Sequence, residues 1–290
     1  MDGHYVLSGA AALYKIVKRF YYMIDYHVHT SLCNHAEGSM EAYIRKAVEI
    51  GLTDICFLDH LTMRPAETSH SMALSEVPFY FQALQRLKQQ YKGKIQVKIG
   101  LEIDFNPIYV DLIKEMIERF SFDVIGGSLH YAGDLNIVSR SSSWSQGRHD
   151  PDLVCDLYIE HLKKMLDYNY FDVVCHLDLI KKFGRKSSKP LDKNYNEILS
   201  IIKQKNLTVE INTDGYNHPA QDVYPSFDII RKCREHGISI TLGSDAHMPA
   251  NVGQHYGKVL PLLIEAGYRH LAVFDRRKRS QIHPVFIMET

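Results

Sequence analysis

The chain has 290 residues, of which 45% are hydrophobic and 23% are charged. This composition is typical of a globular protein with a sizeable core, and it excludes disordered and collagen-like chains. The 34 basic and 34 acidic side chains cancel. The protein therefore has no overall field that would attract a polyanion, and we expect no nucleic-acid partner.

The cysteines and the apolar runs indicate a cellular location. Five cysteines are scattered without a CxxC pair, which favours neither a disulfide framework nor a four-cysteine zinc site and fits a reducing cytoplasm. No run reaches the roughly 18 apolar residues of a membrane-spanning helix, so we expect no membrane partner. Near the N-terminus, Lys15, Lys18 and Arg19 follow the apolar run Tyr5–Tyr14, whereas a secretory signal carries its charges first.

The first 22 residues precede the first predicted strand, and Met23 stands directly before that strand. This arrangement favours a dispensable extension, such as an upstream start codon would add. A packed N-terminal helix is the competing interpretation. Residues 23–290 are predicted to form a single domain, because no internal repeat or linker interrupts them.

Short apolar runs alternate with amphipathic segments along the chain. The runs read as buried strands at Met23–His27, Asp54–Leu58, Gln96–Leu101, Phe122–Gly126, Phe171–Cys175, Thr208–Ile211 and Ile238–Leu242. The segments between them read as helices at Ser39–Glu49, Glu76–Tyr91, Val110–Phe120, Asp152–Tyr168, Asp192–Lys205, Ser226–His236 and Val252–Ala266. This alternation predicts an α/β protein whose parallel sheet is covered by helices.

Seven such units can close into a barrel or form an open sheet, and periodicity does not distinguish the two. Reactive side chains, however, follow six of the seven predicted strands. In a barrel the carboxyl ends of all strands open onto one face. We therefore predict a seven-stranded (β/α)7 barrel of the TIM-like kind.

The first strand carries His27 and His29, which can point at one centre because alternate residues of a strand face the same way. Further histidines and carboxylates recur at successive strand ends. The nine candidate metal ligands are His27, His29, His35, His60, Glu102, His130, His176, Asp245 and His247. A single ion usually takes about three or four protein ligands, so this set suits two or three divalent ions.

Imidazole and carboxylate donors fit zinc, manganese or iron, and the order of affinities does not select among them. Three further carboxylates adjoin the candidate ligands, namely Asp25, Asp59 and Asp178. Each is a candidate to accept a hydrogen bond from a ligand imidazole and hold its ring.

The ordered motifs resemble the polymerase and histidinol phosphatase (PHP) superfamily, and most closely its histidinol-phosphatase branch. They are the segments 25–30, 59–60, 100–102, 128–130, 175–178 and 243–247, together with His35. The resemblance implies a distorted seven-stranded barrel that holds three ions and hydrolyses L-histidinol phosphate in histidine biosynthesis.

The resemblance also implies how the ligands divide. His27, His29, Glu102 and Asp245 would bind the first ion, and Glu102 with His130 and His176 the second. The third would be held by His35, His60 and His247. Catalytic roles fall to Glu102, Asp245 and His247, and Asp245 or a free histidine is the candidate donor of a proton to the leaving alkoxide.

A phosphorylated substrate also requires cations and a selective pocket. Two long loops, Leu61–Ser75 and Tyr131–Pro151, follow strands at the predicted active face. The phosphate-binding candidates are Arg140, Lys181 and Arg185. Candidates for holding the alcohol are Glu67, Tyr131 and Asp134.

Other classes compete with a histidinol phosphatase. They are a phosphoesterase of the same family acting on another small ester or a nucleotide, a metal-dependent amidohydrolase, a proofreading nuclease and a metal-storage or scaffold protein. The neutral charge disfavours the nuclease, since that enzyme needs a basic groove. The pattern leaves the oligomeric state undetermined.

Overall fold

The computed structural model of the protein describes residues 23–64 and 70–284. The predicted extension of residues 1–22 and the candidate Glu67 lie outside the described residues. The division into an extension and one domain therefore stays a prediction. Within the described residues, no helix is both long and apolar enough to cross a bilayer.

The described strands are, in chain order, β1 (Ile24–Val28), β2 (Asp54–Thr62), β3 (Gln96–Asp104), β4 (Val124–Ser128), β5 (Tyr131–Ala132), β6 (Leu135–Asn136), β7 (Val173–Val174), β8 (Thr208–Asn212), β9 (Ser239–Gly243), β10 (His270–Asp275) and β11 (Lys278–Pro284). Seven of them form one sheet in the order β1-β2-β3-β4-β7-β8-β9. All neighbours in this sheet are parallel.

The two outer strands of this sheet approach each other and close it. After β9, Ala246 forms a parallel bridge with Val28 of β1, and its carbonyl accepts a hydrogen bond from the backbone N–H of His29 at 3.0 Å. The predicted seven-stranded barrel is confirmed, with a closing seam held by few backbone hydrogen bonds.

Amphipathic helices cover the barrel. They are α1 (Met40–Glu49), α2 (Val77–Gln90), α3 (Val110–Arg119), α4 (Pro151–Asp167), α5 (Asp192–Gln204), α6 (Phe227–Glu235) and α7 (Tyr256–Glu265). Two begin at side-chain caps that satisfy exposed backbone donors: Ser39 accepts from Ala42 N, and Asp150 accepts from Asp152 N. Each helix buries one apolar stripe against the sheet.

Strand lengths differ from the prediction where the site is built. β2 and β3 extend further than expected, so that His60 and Glu102 stand opposite each other inside a paired ladder. The fifth predicted strand is reduced to Val173–Val174. It ends early because His176 adopts a positive φ of 29°, which takes the backbone out of the extended region.

A C-terminal hairpin, β10 and β11, was not predicted and covers the amino ends of the barrel strands. Its Asp275 pairs with Lys98 Nζ at 3.1 Å, and its Arg277 pairs with Asp172 at 2.7 Å. The backbone N–H of Phe274 donates to Tyr26 Oη at 3.0 Å. The apolar residues of β10 are buried, so the hairpin completes the core at the base.

Candidate metal centre and active site

The barrel brings the nine candidate ligands together at the carboxyl ends of its strands. β1 supplies His27, β2 supplies His60 and β3 supplies Glu102, while His29 directly follows β1 and the others also follow β1, β4, β7 and β9. Parallel strands end on one face, which explains why donors distant in sequence meet there. The remaining ligands of the set are His35, His130, His176, Asp245 and His247.

Glu102 lies at the centre of one half of the cluster and is fully buried. Its Oε1 lies 2.7 Å from His176 Nε2 and 3.3 Å from His130 Nε2. Its Oε2 lies 2.6 Å from His60 Nδ1 and 3.5 Å from His27 Nε2. One carboxylate therefore lies within 3.5 Å of four imidazoles, the arrangement expected of a ligand shared between ions.

The other half is a stack of imidazoles beside Asp245. The ring centroids of His29 and His247 are 4.1 Å apart, as are those of His29 and His60. His35 lies 4.5 Å from His247 by the same measure. Asp245 Oδ1 lies 2.8 Å from His29 Nε2, and one nitrogen each of His29, His60 and His247 fall within 4.8 Å of one another.

The donor atoms fit a metal centre by their surroundings. The Nε2 atoms of His27 and His247 are buried and lack hydrogen-bond partners among the described residues. Buried polar atoms rarely remain unpaired, because each loses its hydration without compensation. A bound cation would satisfy both nitrogens, and imidazole with carboxylate is a donor set suited to divalent transition ions.

Burial and mutual repulsion set the charges of the cluster. Burial, with the neighbouring His247, lowers the pKa of His29 to about 3 and that of His35 to about 4. Burial would raise the pKa of Glu102, but the surrounding histidines hold it well below its usual range. His29 and His35 are therefore neutral imidazoles and Glu102 is an ionised carboxylate, which are the protonation states that bind metal ions.

Behind the ligands, buried carboxylates hold several groups in place. Asp59 Oδ1 lies 3.4 Å from His29 Nδ1, as predicted for a carboxylate that fixes a ligand ring. Asp25 instead accepts from backbone N–H groups such as that of Ser244 at 2.9 Å. Asp178 accepts from the backbone N–H of Ser226 at 2.9 Å, and so neither of these two holds an imidazole.

Above the cluster lies a cavity of about 640 Å³ whose walls include six of the nine ligands and several cationic and polar side chains. Arg140, a predicted phosphate-binding residue, lines it, and so do Lys182 and Asp214. Burial lowers the pKa of Lys182, while the carboxylates of Asp214 and Asp245 favour its charged form. The cavity thus combines a metal-type floor with positive charge on its walls.

The other predicted phosphate-binding residues lie outside the cavity lining. Lys181 is held by Asp222 at 2.7 Å and by Asp178 at 2.9 Å. Arg185 donates to the Ser145 carbonyl at 3.2 Å, behind the long loop after β4. Both side chains therefore serve contacts away from the cluster, although their assignment from the sequence remains a prediction.

Of the two described candidates for binding the alcohol part of the substrate, one lines the cavity and the other does not. Tyr131 lines the cavity and lies beneath the guanidinium of Arg64, 4.1 Å from its ring centroid. Asp134 is exposed and pairs with Arg64 at 3.3 Å. Only Tyr131 of these two contributes to the described cavity wall.

The sequence matches a known protein family and several curated proteins. The PHP domain model matches residues 25–214. A Deinococcus radiodurans protein named "Probable histidinol-phosphatase" is 32% identical over 268 residues, spanning 88% of this chain and 98% of that protein. The chain belongs to the PHP domain family. The Lactococcus lactis histidinol-phosphatase is 28% identical over 89% of this chain and 98% of its own length.

A solved structure has the same PHP fold. The Lactococcus lactis histidinol phosphate phosphatase, complexed with zinc, L-histidinol and phosphate, superposes with a TM-score of 0.76. It is 24% identical and covers 89% of this chain and 98% of that protein. The likeness extends across the barrel and supports the closed α/β architecture.

Three functional candidates of this PHP domain were missed in the sequence. Lys182 adjoins the predicted Lys181 but faces the cavity. Asp214 follows β8, where no donor was assigned, and also lines the cavity. Glu210 lies inside β8, 2.6 Å from His27 Nδ1. A signal existed for Glu210, since acidic residues are rare in the middle of a buried strand.

Proposed function

We propose that this PHP protein is a metal-dependent phosphomonoesterase that hydrolyses L-histidinol phosphate to L-histidinol and phosphate, a step of histidine biosynthesis. The observation that carries the proposal is a carboxylate–imidazole cluster on the floor of a cavity lined by Arg140 and Lys182. The relatives named as histidinol-phosphatases, matched over most of both chains, support the same substrate.

The metal part of the proposal uses the nine converging residues. His27, His29, Glu102 and Asp245 would hold one ion, and Glu102 with His130 and His176 a second. His35, His60 and His247 would hold a third. Zinc, manganese and iron all suit these donors, and the zinc in the Lactococcus lactis structure supports the first of them.

Divalent ions in such a cluster polarise phosphoryl oxygens and lower the pKa of bound water toward about 7. The chain supplies the remaining functions. Arg140 and Lys182 offer a guanidinium and an ammonium group to the outer phosphate oxygens, where charge-assisted hydrogen bonds are strongest. Asp59 keeps His29 oriented toward the cluster.

The alcohol part of the substrate carries an ammonium group and an imidazole. Asp214 is one of the carboxylates of the cavity wall, and hydrogen bonds from His218 at 2.6 Å and Asn217 at 2.9 Å fix its orientation. The hydrogen bond to His218 contributes to holding the pKa of Asp214 below its ordinary value. An ionised Asp214 beside the metal floor suits an ammonium group.

The proposal also covers the cellular location of the enzyme and its partner. All five cysteines are buried free thiols, which fits the reducing cytoplasm expected from the sequence. We propose a cytoplasmic enzyme whose partner is its small phosphorylated substrate.

The deciding experiment measures phosphate release from L-histidinol phosphate and from a panel of nucleotide, sugar and p-nitrophenyl phosphates. The protein should be reconstituted with zinc or manganese, with a chelator-treated sample beside it. We expect kcat/KM for histidinol phosphate to exceed the others by at least about a hundredfold, about 2.7 kcal/mol of transition-state preference. Equal rates across the panel would leave a PHP phosphatase of a different ester, and no metal-dependent release would reject the phosphatase itself.

A further inference from the structure

The strand to which the sequence assigned no ligand, β8, carries a buried carboxylate beneath the cluster. Glu210 is 1% exposed, and both of its oxygens are engaged. Oε1 lies 2.6 Å from His27 Nδ1. Oε2 accepts a hydrogen bond from the backbone N–H of His176 at 2.8 Å, and Asn212 Nδ2 donates to the same atom at 3.3 Å.

The contact with His27 determines which of its ring nitrogens can bind a metal. A carboxylate only accepts hydrogen bonds, so Nδ1 must carry the proton that faces Glu210. In the neutral ring that binds a metal ion, Nε2 then carries the lone pair, and it is a buried atom without a hydrogen-bond partner among the described residues. That lone pair points toward Glu102 Oε2, 3.5 Å away, and Asp245 Oδ1, 3.9 Å away.

The contact with His176 acts on the backbone instead. His176 has a φ of 29°, an unfavourable conformation for a residue with a side chain. Its N–H would lie buried and unsatisfied at the end of β7 without an acceptor. Glu210 supplies that acceptor, and the resulting turn brings His176 Nε2 to 2.7 Å from Glu102 Oε1.

A glycine in the neighbouring strand leaves the space that the Glu210 carboxylate occupies. Gly243, in the neighbouring strand β9, does not have a positive φ. A Cβ at this position would overlap Glu210 Oε1 and the Cβ of His27. The glycine is thus required by close approach, and a methyl group there would displace the carboxylate.

We propose that Glu210 is a positioning residue that fixes the tautomer of His27 and the turn of His176, and so joins the ligands of two metal ions through one side chain. The inference rests on the proposed metal site. It assigns Glu210 no contact with substrate.

The Glu210→Gln variant tests the proposal because an amide has one accepting atom. Its oxygen will turn toward His176 N–H and Asn212 Nδ2, which both donate. Its NH₂ group then faces His27 Nδ1, which must become the acceptor. The ring proton moves to Nε2, and the lone pair that binds the ion is lost.

The readout is zinc affinity, measured by competition with a chromogenic chelator on protein freed of metal. We expect Glu210→Gln to weaken the tightest-held zinc by about 10- to 100-fold, the range typical of lost support behind a metal ligand. Unchanged affinity and stoichiometry would overturn the proposal.

Asp123→Asn is the matched control, because it neutralises another buried carboxylate, one that accepts from Lys88 and Ile99 N at the base of the barrel. It should lower thermal stability and leave zinc affinity within about threefold of the native value. An equal loss of zinc affinity in both variants would mean that Glu210 acts only through general stability, and would reject the positioning role.

A measurement on the unaltered protein keeps the test valid if Glu210→Gln fails to fold. Nitrogen-15 NMR of histidine-labelled, zinc-loaded protein should show His27 protonated at Nδ1 and bound to metal through Nε2. The opposite assignment would overturn the proposal. Turnover of histidinol phosphate by the same sample is scored separately, so a wrong substrate leaves this result standing.

Discussion

Charged side chains have different surroundings at the two ends of the barrel. At the base, charged side chains pair with counterions: Lys98 pairs with Asp275, and Arg277 pairs with Asp172. At the carboxyl ends, Glu102 lies within 3.5 Å of four imidazoles, and His27, His176 and His247 each have a ring nitrogen without a hydrogen-bond partner among the described residues. Charges at the base therefore stabilise the fold, whereas those at the top are arranged for binding at a cost in stability.

The largest expected effect comes from removing the shared carboxylate at the top. Glu102→Ala should lower kcat/KM for histidinol phosphate by more than about a thousandfold, or about 4 kcal/mol, because one side chain serves two ions. His35→Ala should have a smaller effect, since His35 would serve one ion. Steady-state kinetics with metal analysis of both variants checks this, and a larger loss for His35→Ala would contradict the shared role.

Lys181 and Lys182 are adjacent in the chain, but only Lys182 lines the cavity. Lys182→Ala should lower kcat/KM about 10- to 100-fold through loss of a phosphate contact. Lys181→Ala is the matched control, because Lys181 pairs with Asp178 and Asp222 outside the cavity lining. It should reduce stability and leave kcat/KM within about threefold. The reverse ranking would move the phosphate site to Lys181.

At the base of the barrel, a substitution should lower stability and leave activity unchanged. Arg277→Ala leaves Asp172 without its counterion and should lower the free energy of unfolding by about 2 kcal/mol, less than a fully buried pair would lose. Activity of the folded fraction should stay unchanged. Urea unfolding and kinetics on the same sample measure both quantities, and a large fall in kcat would show that the two ends are coupled.

The smallest effect concerns the acid stability of the metal-free protein. Burial lowers the pKa of His29 to about 3 in the folded protein, from an ordinary value of about 6.5, so between these pH values the unfolded chain binds a proton that the folded protein does not. Stability should therefore fall as the pH drops from 6.5 toward 3. His29→Asn should remove about 1 to 3 kcal/mol of that loss. Urea unfolding with a chelator at several pH values tests this, and an equally steep acid slope in the variant would contradict it.

The sequence predicted the nine donors and the barrel from a single regularity, donors at successive strand ends. The same regularity overlooked β8, because Glu210 lies within the strand and supports ligands without being one of the nine. It also failed to separate Lys181 from Lys182. Neighbouring side chains in a tight turn diverge, and only the turn at Leu179–Lys181 decides which of them enters the cavity.

The C-terminal hairpin escaped prediction for a different reason. Its apolar residues, Leu271 to Phe274, form only a short run. The alternation of strands and helices does not reveal whether such a run joins the main sheet or covers the base of the barrel. Long-range partners such as Asp123, whose carbonyl accepts from Arg277 N at 2.8 Å, settle that position.

The position of this hairpin in the chain also sets an order of events during translation. All nine proposed ligands have left the ribosome once residue 247 has emerged, before β10 and β11 emerge. Until then Lys98 and Asp172 have no counterions, and burying them unpaired opposes closure of the barrel. The nascent chain therefore exposes all nine proposed ligands before the hairpin that completes the base of its barrel.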